Sequence, residues 1–338
     1  MRCSVRTFVA IGLAATALVC APPSFAQQRA RAVAPPPEKI EVWRVRDDIY
    51  MLVGGGGNTT VQIGSDGILV VDTKLATASD QLLAAIRQLS DKPIRYVINT
   101  HVHPDHVGGN EKIATAGSTI AGGNVSGAIA DAGVGAAVIA HENVLARMSG
   151  QAPPPPFSAW PTDTFFVSEK DFYFNGEAVQ ILHEPAAHTD GDSMVFFRRS
   201  DVISAGDVFT TTLYPVIRPE DGGGIDGVIA ALNDIIALTV PAEKQEGGTM
   251  VIPGHGRLAD EADVVEYRDM VTIIRDRVRS MIEMGMTLKQ VQAAQPTRDY
   301  DGRYGAADGF WTTAQFVDAV YGSLAGGASG GKAAAARN

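Results

Sequence analysis

The stretch NTHVHPDHVGGN, residues 99–110, places three of the chain's seven histidines and an aspartate within six positions. His101, His103, Asp105 and His106 form the pattern H-x-H-x-D-H. The apolar run IRYVINT leads straight into it and reads as a buried strand. Side chains alternate along a strand, so His101 and His103 at its end are expected to point the same way and grip one ion. Asp105 and His106 follow Pro104, where the chain turns, and are expected to face a second ion. A polar surface loop has no need of that division into a His-His pair and an Asp-His pair.

A zinc ion takes about four ligands from His, Cys, Asp or Glu, so one loop cannot complete two sites. Further donors are therefore expected at other strand ends. His188 in AAHTDGDS, Asp207 in ISAGDVF and His255 in VIPGHG each end an apolar run beside a glycine or a turn. Loops at strand ends are where rigid scaffolds place chemistry.

The series H-x-H-x-D-H, His-Thr-x-Gly, Gly-Asp and Gly-His-Gly, spread over residues 40–320, resembles the metallo-β-lactamase superfamily. The resemblance implies an α/β fold, a four-layer αβ/βα sandwich with metals at one edge between the sheets. Carried over residue by residue, it implies His101, His103 and His188 around a first metal. Asp105, His106 and His255 would surround a second, with Asp207 bridging both. One lactamase group has a cysteine near the bridging position, and another lacks the bridging aspartate. Asp207 together with His106 departs from both and leans toward the general hydrolases. Flavodiiron members carry Glu where this chain has His103.

The implied activity is that of a dinuclear zinc hydrolase, in which a metal-bound hydroxide cleaves an amide or ester, a β-lactam among them. Asp105 would hold that water and shuttle its proton. Zinc suits the His/Asp donor set, and iron or manganese fits the same ligands. Three alternatives stay open: a lactone or thioester hydrolase of glyoxalase type, an iron-dependent sulfur dioxygenase, and a non-catalytic periplasmic metal-binding accessory protein.

The remaining sequence sets the context. Residues 1–26 read as a secretory signal: Arg2 and Arg6, an apolar run from Phe8 to Cys20, then Ser24-Phe25-Ala26 as a cleavage site. That run is shorter than the ~20 residues a membrane span needs. A periplasmic or secreted protein with no stable membrane insertion is expected. Both cysteines, Cys3 and Cys20, fall inside the signal, so neither a disulfide nor a thiolate ligand is expected in the mature chain. The formal net charge of -10 and the lack of a basic cluster argue against a nucleic-acid partner; a small-molecule substrate is what the resemblance implies.

Residues 27–39 read as a flexible leader, 40–325 as the hydrolase domain and 326–338 as a disordered tail. Strands are expected at 49–53, 59–64 and 67–72 with a turn at Ser65-Asp66-Gly67, and a helix over 77–89. TDTFFV, DFYFNGEAVQILHEP, SMVFFRR and DVISAGD read as further strands. Helices are expected over 264–285 and in TLKQVQAA and TTAQFVDAVYGSLA. Residues 113–143 are Gly/Ala-rich, with two weakly similar runs. Such an alternation suggests two α/β halves packed sheet to sheet.

Several residues carry weaker expectations. His141 reads as a cap or surface residue, and His183 and Asp192 as structural. Asp72, ending ILVVD, reads as a turn residue or as an orienter of a ligand. Tyr214 and Arg218 are expected in a loop that either walls the cleft or is a mobile surface loop. Gly54 to Gly57 read as a flap or a turn.

Overall fold

The computed structural model describes residues 39–119, 135–245 and 247–335. The expected signal and nearly all of the leader lie outside these residues.

A first sheet is built from β1 (Glu41–Arg46), β2 (Ile49–Val53), β3 (Thr59–Ile63), β4 (Ile68–Val71), β5 (Ile94–Ile98), β6 (Ala137–His141) and β7 (Asp163–Phe165), hydrogen-bonded in that order. The pairs from β1 to β4 are antiparallel, and those from β4 to β7 are parallel. The second sheet contains β8 (Glu169–Phe174), β9 (Glu177–Glu184), β10 (Asp192–Phe197), β11 (Val202–Thr210) and β12 (Met250–His255). Its pairs are antiparallel except β11 with β12.

Helices fill the parallel crossovers and cover the outer faces. They are α1 (Ser79–Leu89), α2 (Pro104–Val107), α3 (Asn110–Thr115), α4 (Glu142–Gly150), α5 (Ile225–Leu238), α6 (Glu261–Glu283), α7 (Leu288–Ala294), α8 (Asp301–Tyr304) and α9 (Thr313–Ala335).

Alternation along each strand makes the layers. In β4, Leu69 and Val71 pack with Ile98, Ile181, Val195 and Ile252 between the sheets. Ile68 and Val70 face the other way, onto Leu82 and Ile86 of α1 and Ile113 of α3. Because β4 is buried on both faces, it reads as a continuous apolar run rather than an alternating one. On the far side, Ile203 and Ala205 of β11 pack under Leu232 of α5, Val271 of α6 and Phe316 of α9. The result is the four-layer αβ/βα sandwich. Among the described residues, no helix is long and apolar enough to cross a membrane.

The structure departs from the expected elements in three places. Residues 137–150, for which no element was expected, form β6 and α4, while 120–134 lie outside the described residues. Ile225–Leu238 forms α5, which the sequence reading passed over. The last helix spans Thr313–Ala335 and so includes residues 326–335 of the expected tail.

Candidate metal centre

Beyond the end of β5 the chain leaves the sheet. His101 and His103 therefore sit in a loop rather than on the strand, and their convergence comes from loop geometry, not strand alternation. Pro104 then starts α2, its fixed φ suited to a first helical position. This single turn carries Asp105 and His106. His188 lies in the turn between β9 and β10, which Asp192 closes by accepting from Thr189 N at 2.8 Å and Thr189 Oγ1 at 2.6 Å.

Asp207 is not at a strand end. β11 runs on to Thr210, and Asp207 emerges where the register with β12 shifts, beside Gly206 at φ +56. Such a bulge re-aims a side chain within a sheet. His255 is the last residue of β12. At Gly254 a β-carbon would lie 2.0 Å from Asp207 Oδ1, so only glycine lets the strand pass the carboxylate.

All seven expected residues meet at one edge between the sheets. Three sets bring their donor atoms within 4.8 Å of one another: His101, His103 and His188; Asp105, His106 and His255; and His101, His106 and Asp207. The third set takes one histidine from each of the others, so Asp207 stands between them. Its Oδ1 lies 3.1 Å from His106 Nε2 and 3.5 Å from His255 Nε2, and its Oδ2 lies 3.6 Å from His188 Nε2 and 3.9 Å from His101 Nε2.

Outer partners fix which nitrogens face inward. Thr100 Oγ1 donates to Asp72 Oδ2 at 2.7 Å, so it accepts from His101 Nδ1 at 3.0 Å. His188 Nδ1 donates to the Val216 carbonyl. His103 Nε2 donates to Asp221 Oδ2 at 3.3 Å. The nitrogens left facing inward, His101 Nε2, His188 Nε2 and His103 Nδ1, are lone pairs. His188 Nε2 and His103 Nδ1 lie 2.8 Å apart, and His101 Nε2 is buried with no hydrogen-bond partner. Three converging lone pairs fit a cation, each imidazole held in its ligating tautomer by an outer partner.

The second half is governed by carboxylates. Asp72, buried, accepts His106 Nδ1 at 2.7 Å and Thr100 N at 2.8 Å, so it orients a histidine rather than simply forming a turn. Burial opposes a charge on His106, but the Asp207 and Asp72 carboxylates raise its pKa well above the usual imidazole value. His255 rises to about 9, against burial, through Asp207 and Asp105. Burial also opposes ionisation of Asp207, yet His106 and His255 hold its carboxyl well below the usual range. At Asp105 burial is outweighed by the His255 hydrogen bond and by His106, and the carboxyl sits below its ordinary value. In the first half, burial and then His106 push His101 well down. Burial lowers His188 to about 4, against the pull of Asp207. One half thus offers neutral imidazoles and the other a negative field, and both favour a bound cation.

The centre floors a cavity of about 480 Å³. Leu75, Leu213, Val216 and Phe310 give it apolar walls, and Arg218 brings a cation to the same space. Arg218 lies over the Phe310 ring at 5.6 Å, and its Nε is buried without a hydrogen-bond partner. Tyr214, in contrast, is not a cleft wall. It is buried, stacked on Phe316 at 4.6 Å, with its hydroxyl donating to Asp301 at 2.8 Å. His141 caps α4 through Asn143 N and stacks on His183 at 3.6 Å. Gly57 packs its backbone against the His106 ring and Gly56 lies against Asp105, so this loop backs two of the candidate ligands. Sequence reasoning missed Thr100, Arg147, Asp221, Leu75 and Phe310. Of these, Thr100 alone had a local signal, its place inside the histidine motif.

Comparison with known proteins agrees with this fold. A linear primary-alkylsulfatase of a Pseudomonas species is 24% identical over 267 residues, which are 66% of this chain and 46% of that protein. The alkyl/aryl-sulfatase BDS1 of Saccharomyces cerevisiae is 33% identical over 108 residues, 31% of this chain and 16% of that protein. The chain thus spans less than half the length of these relatives. Among solved structures, the sec-alkylsulfatase Pisa1 from Pseudomonas sp. superposes with a TM-score of 0.59 at 16% identity, over 84% of this chain and 50% of that one. A metallo-beta-lactamase from Pontibacter korlensis gives 0.53 at 14% identity, over 69% of this chain and 99% of that one. Residues 52–255 match the sequence profile of the Metallo-beta-lactamase superfamily, and the chain belongs to that superfamily.

Proposed function

We propose that this protein is a dinuclear zinc hydrolase of organic sulfate monoesters with an apolar alkyl group. Arg218 beside the metal centre, in a cavity whose walls include Leu75, Leu213, Val216 and Phe310 alongside Thr210 and Thr212, carries the reading. A sulfate monoester has one anionic head and an apolar tail, which matches one guanidinium and an apolar wall. The names of the sequence relatives favour sulfate over the β-lactam expected at first.

His101, His103 and His188 would hold one ion, and Asp105, His106 and His255 the other, with Asp207 shared. Bound divalent cations supply Lewis acidity and make water a nucleophile near neutral pH. Asp105 stays a carboxylate and lines the cavity, so it can accept a proton from the attacking water. Arg218 pairs with sulfate oxygens, a charge-assisted contact. Leu75, Leu213, Val216 and Phe310 take the alkyl group and exclude bulk water. The products are the alcohol and hydrogensulfate.

The test is sulfate release from decyl sulfate by the zinc-loaded protein, with and without chelator, beside a chromogenic cephalosporin. Chelator-sensitive sulfate release that weakens in Arg218→Met mainly through KM is expected. Cephalosporin turnover without sulfate release would overturn the proposal. Export belongs to the same reading, and is tested by whether the mature protein begins at Gln27.

A further inference from the structure

One guanidinium joins the supports of two histidines of the first ligand set. Arg147, on α4, grips Asp190 with a fork: Nε to Oδ1 and Nη2 to Oδ2, both at 2.7 Å. Its Nη1 reaches Asp221 Oδ1 at 2.9 Å. The other oxygen of Asp221 is the one that accepts from His103 Nε2. Asp190 follows His188 by two positions, and its backbone N–H donates to the Asp221 carbonyl at 2.8 Å. The Asp221 loop is tied back to the His188 turn, with Arg218 N donating to the His188 carbonyl at 3.1 Å. Arg147, Asp190 and Asp221 do not line the cavity.

We infer that Arg147 is a positioning residue of the metal centre: it holds Asp221 so that His103 is fixed with its proton on Nε2 and its lone pair on Nδ1. The inference rests on the reading of the site as a metal centre, and not on the substrate. An exposed ion pair alone contributes little. Here the guanidinium is half-buried, engages two carboxylates and sets a ligand's tautomer through one of them. Arginine suits this task because its planar fork fixes direction as well as charge. A lysine ammonium supplies charge without that direction. Without Arg147, Asp221 loses the contact that aims its other oxygen at His103. The ring is then free to turn or to carry its proton on Nδ1, which removes a donor from the first set.

The experiment uses the full protein and zinc itself. Zinc affinity is measured by chelator competition for the wild type, Asp221→Ala, Arg147→Ala, Arg147→Lys and the double alanine variant. The His103 tautomer is read from imidazole nitrogen shifts in metal-free protein. Asp221→Ala should weaken one of the two zinc sites roughly 10–100-fold, the range for an outer partner of a metal-bound histidine. Arg147→Ala should weaken the same site, and the double variant should be no worse than Asp221→Ala, because the two residues act through one contact. Arg147→Lys should restore thermal stability without restoring the zinc site. In metal-free Arg147→Ala, His103 should change from one tautomer to a mixture. Additive losses, or a lower Tm with unchanged zinc affinity and an unchanged His103 tautomer, would overturn the inference. Wild-type protein that takes up no zinc would sink the metal reading instead, and the clamp would then stand or fall on the tautomer measurement.

Discussion

Asp72 offers a sharp test of how the second half of the centre is built. One of its oxygens accepts from Thr100 N; the other accepts from both Thr100 Oγ1 and His106 Nδ1, each at 2.7 Å. Its backbone is left-handed, at φ 63, a conformation asparagine also tolerates. Asp72→Asn is therefore compatible with the turn. The amide oxygen has to face Thr100 N, because a donor there would meet a donor. The amide NH2 then faces His106 Nδ1, which must become an acceptor. His106 thereby carries its proton on Nε2, the nitrogen that points toward Asp207 and His255.

The magnitude follows from what is lost. A hydrogen bond to a charged group contributes about 1.5–3 kcal/mol, and restoring the ligating tautomer would require breaking the new amide contact as well. At ~1.4 kcal/mol per decade, the second zinc should bind roughly 10–100-fold more weakly. The first set should be affected less, and through His101 alone: Thr100 Oγ1 loses its acceptor when Oδ2 becomes NH2, while His188 and His103 keep Val216 and Asp221. Chelator competition on wild type and Asp72→Asn measures this directly, with thermal unfolding as the control for folding. Two zinc ions bound with unchanged affinities would refute the tautomer argument.

Three further outcomes are expected. Gly57→Ala places a β-carbon 2.3 Å from His106 Cε1, so the ring must move, and zinc occupancy of the second set should fall while the far end of the sandwich stays protected from hydrogen exchange. Asp105→Asn should remove nearly all turnover with the circular dichroism spectrum unchanged; full activity would exclude Asp105 as proton acceptor. Glu184 is raised to about 8 by burial, then by Asp234 and Asp192. Between its ordinary value of 4.5 and about 8, the native state holds a proton that the unfolded chain has released. The stability it contributes is therefore fully present below pH 4.5 and is lost as pH rises through 8. Glu184→Gln stays neutral, so its Tm should fall less than that of the wild type between pH 6 and pH 9; parallel curves would contradict this.

What the sequence made legible follows from the range of each interaction. The three histidines and Asp105 lie within six positions, and a local spacing displays them. Asp207 and His255 announce themselves because glycine must adjoin them: Gly206 for the bulge, Gly254 because no β-carbon fits against the carboxylate. The strands β2 to β5 were visible because β-branched residues between turn signals leave few other readings. α5 was passed over because IDGVIAALNDIIAL is apolar on most of its surface and opens behind a glycine run with no side-chain cap. β6 and α4 were hidden for a related reason: a five-residue strand passes directly into a helix, with His141 serving as strand end and helix cap at once.

The supports of the site had no such signature. Arg147 and Asp221 are 74 residues apart, and His103 is 118 residues from Asp221. No spacing rule connects them, and each alone reads as an ordinary surface charge. They meet because α4 leaves the end of β6 and the 218–224 loop is tied back onto the turn that carries His188. The same loop puts Arg218 in the cavity and Asp221 behind His103. The anion contact proposed for Arg218 and the orientation of His103 would therefore share one backbone segment, and a shift of that segment should move KM and metal affinity together. That coupling explains why the loop needs its glycines: at Gly223 a β-carbon would lie 2.3 Å from the His188 carbonyl oxygen, and a side chain there would push the segment off the turn it braces.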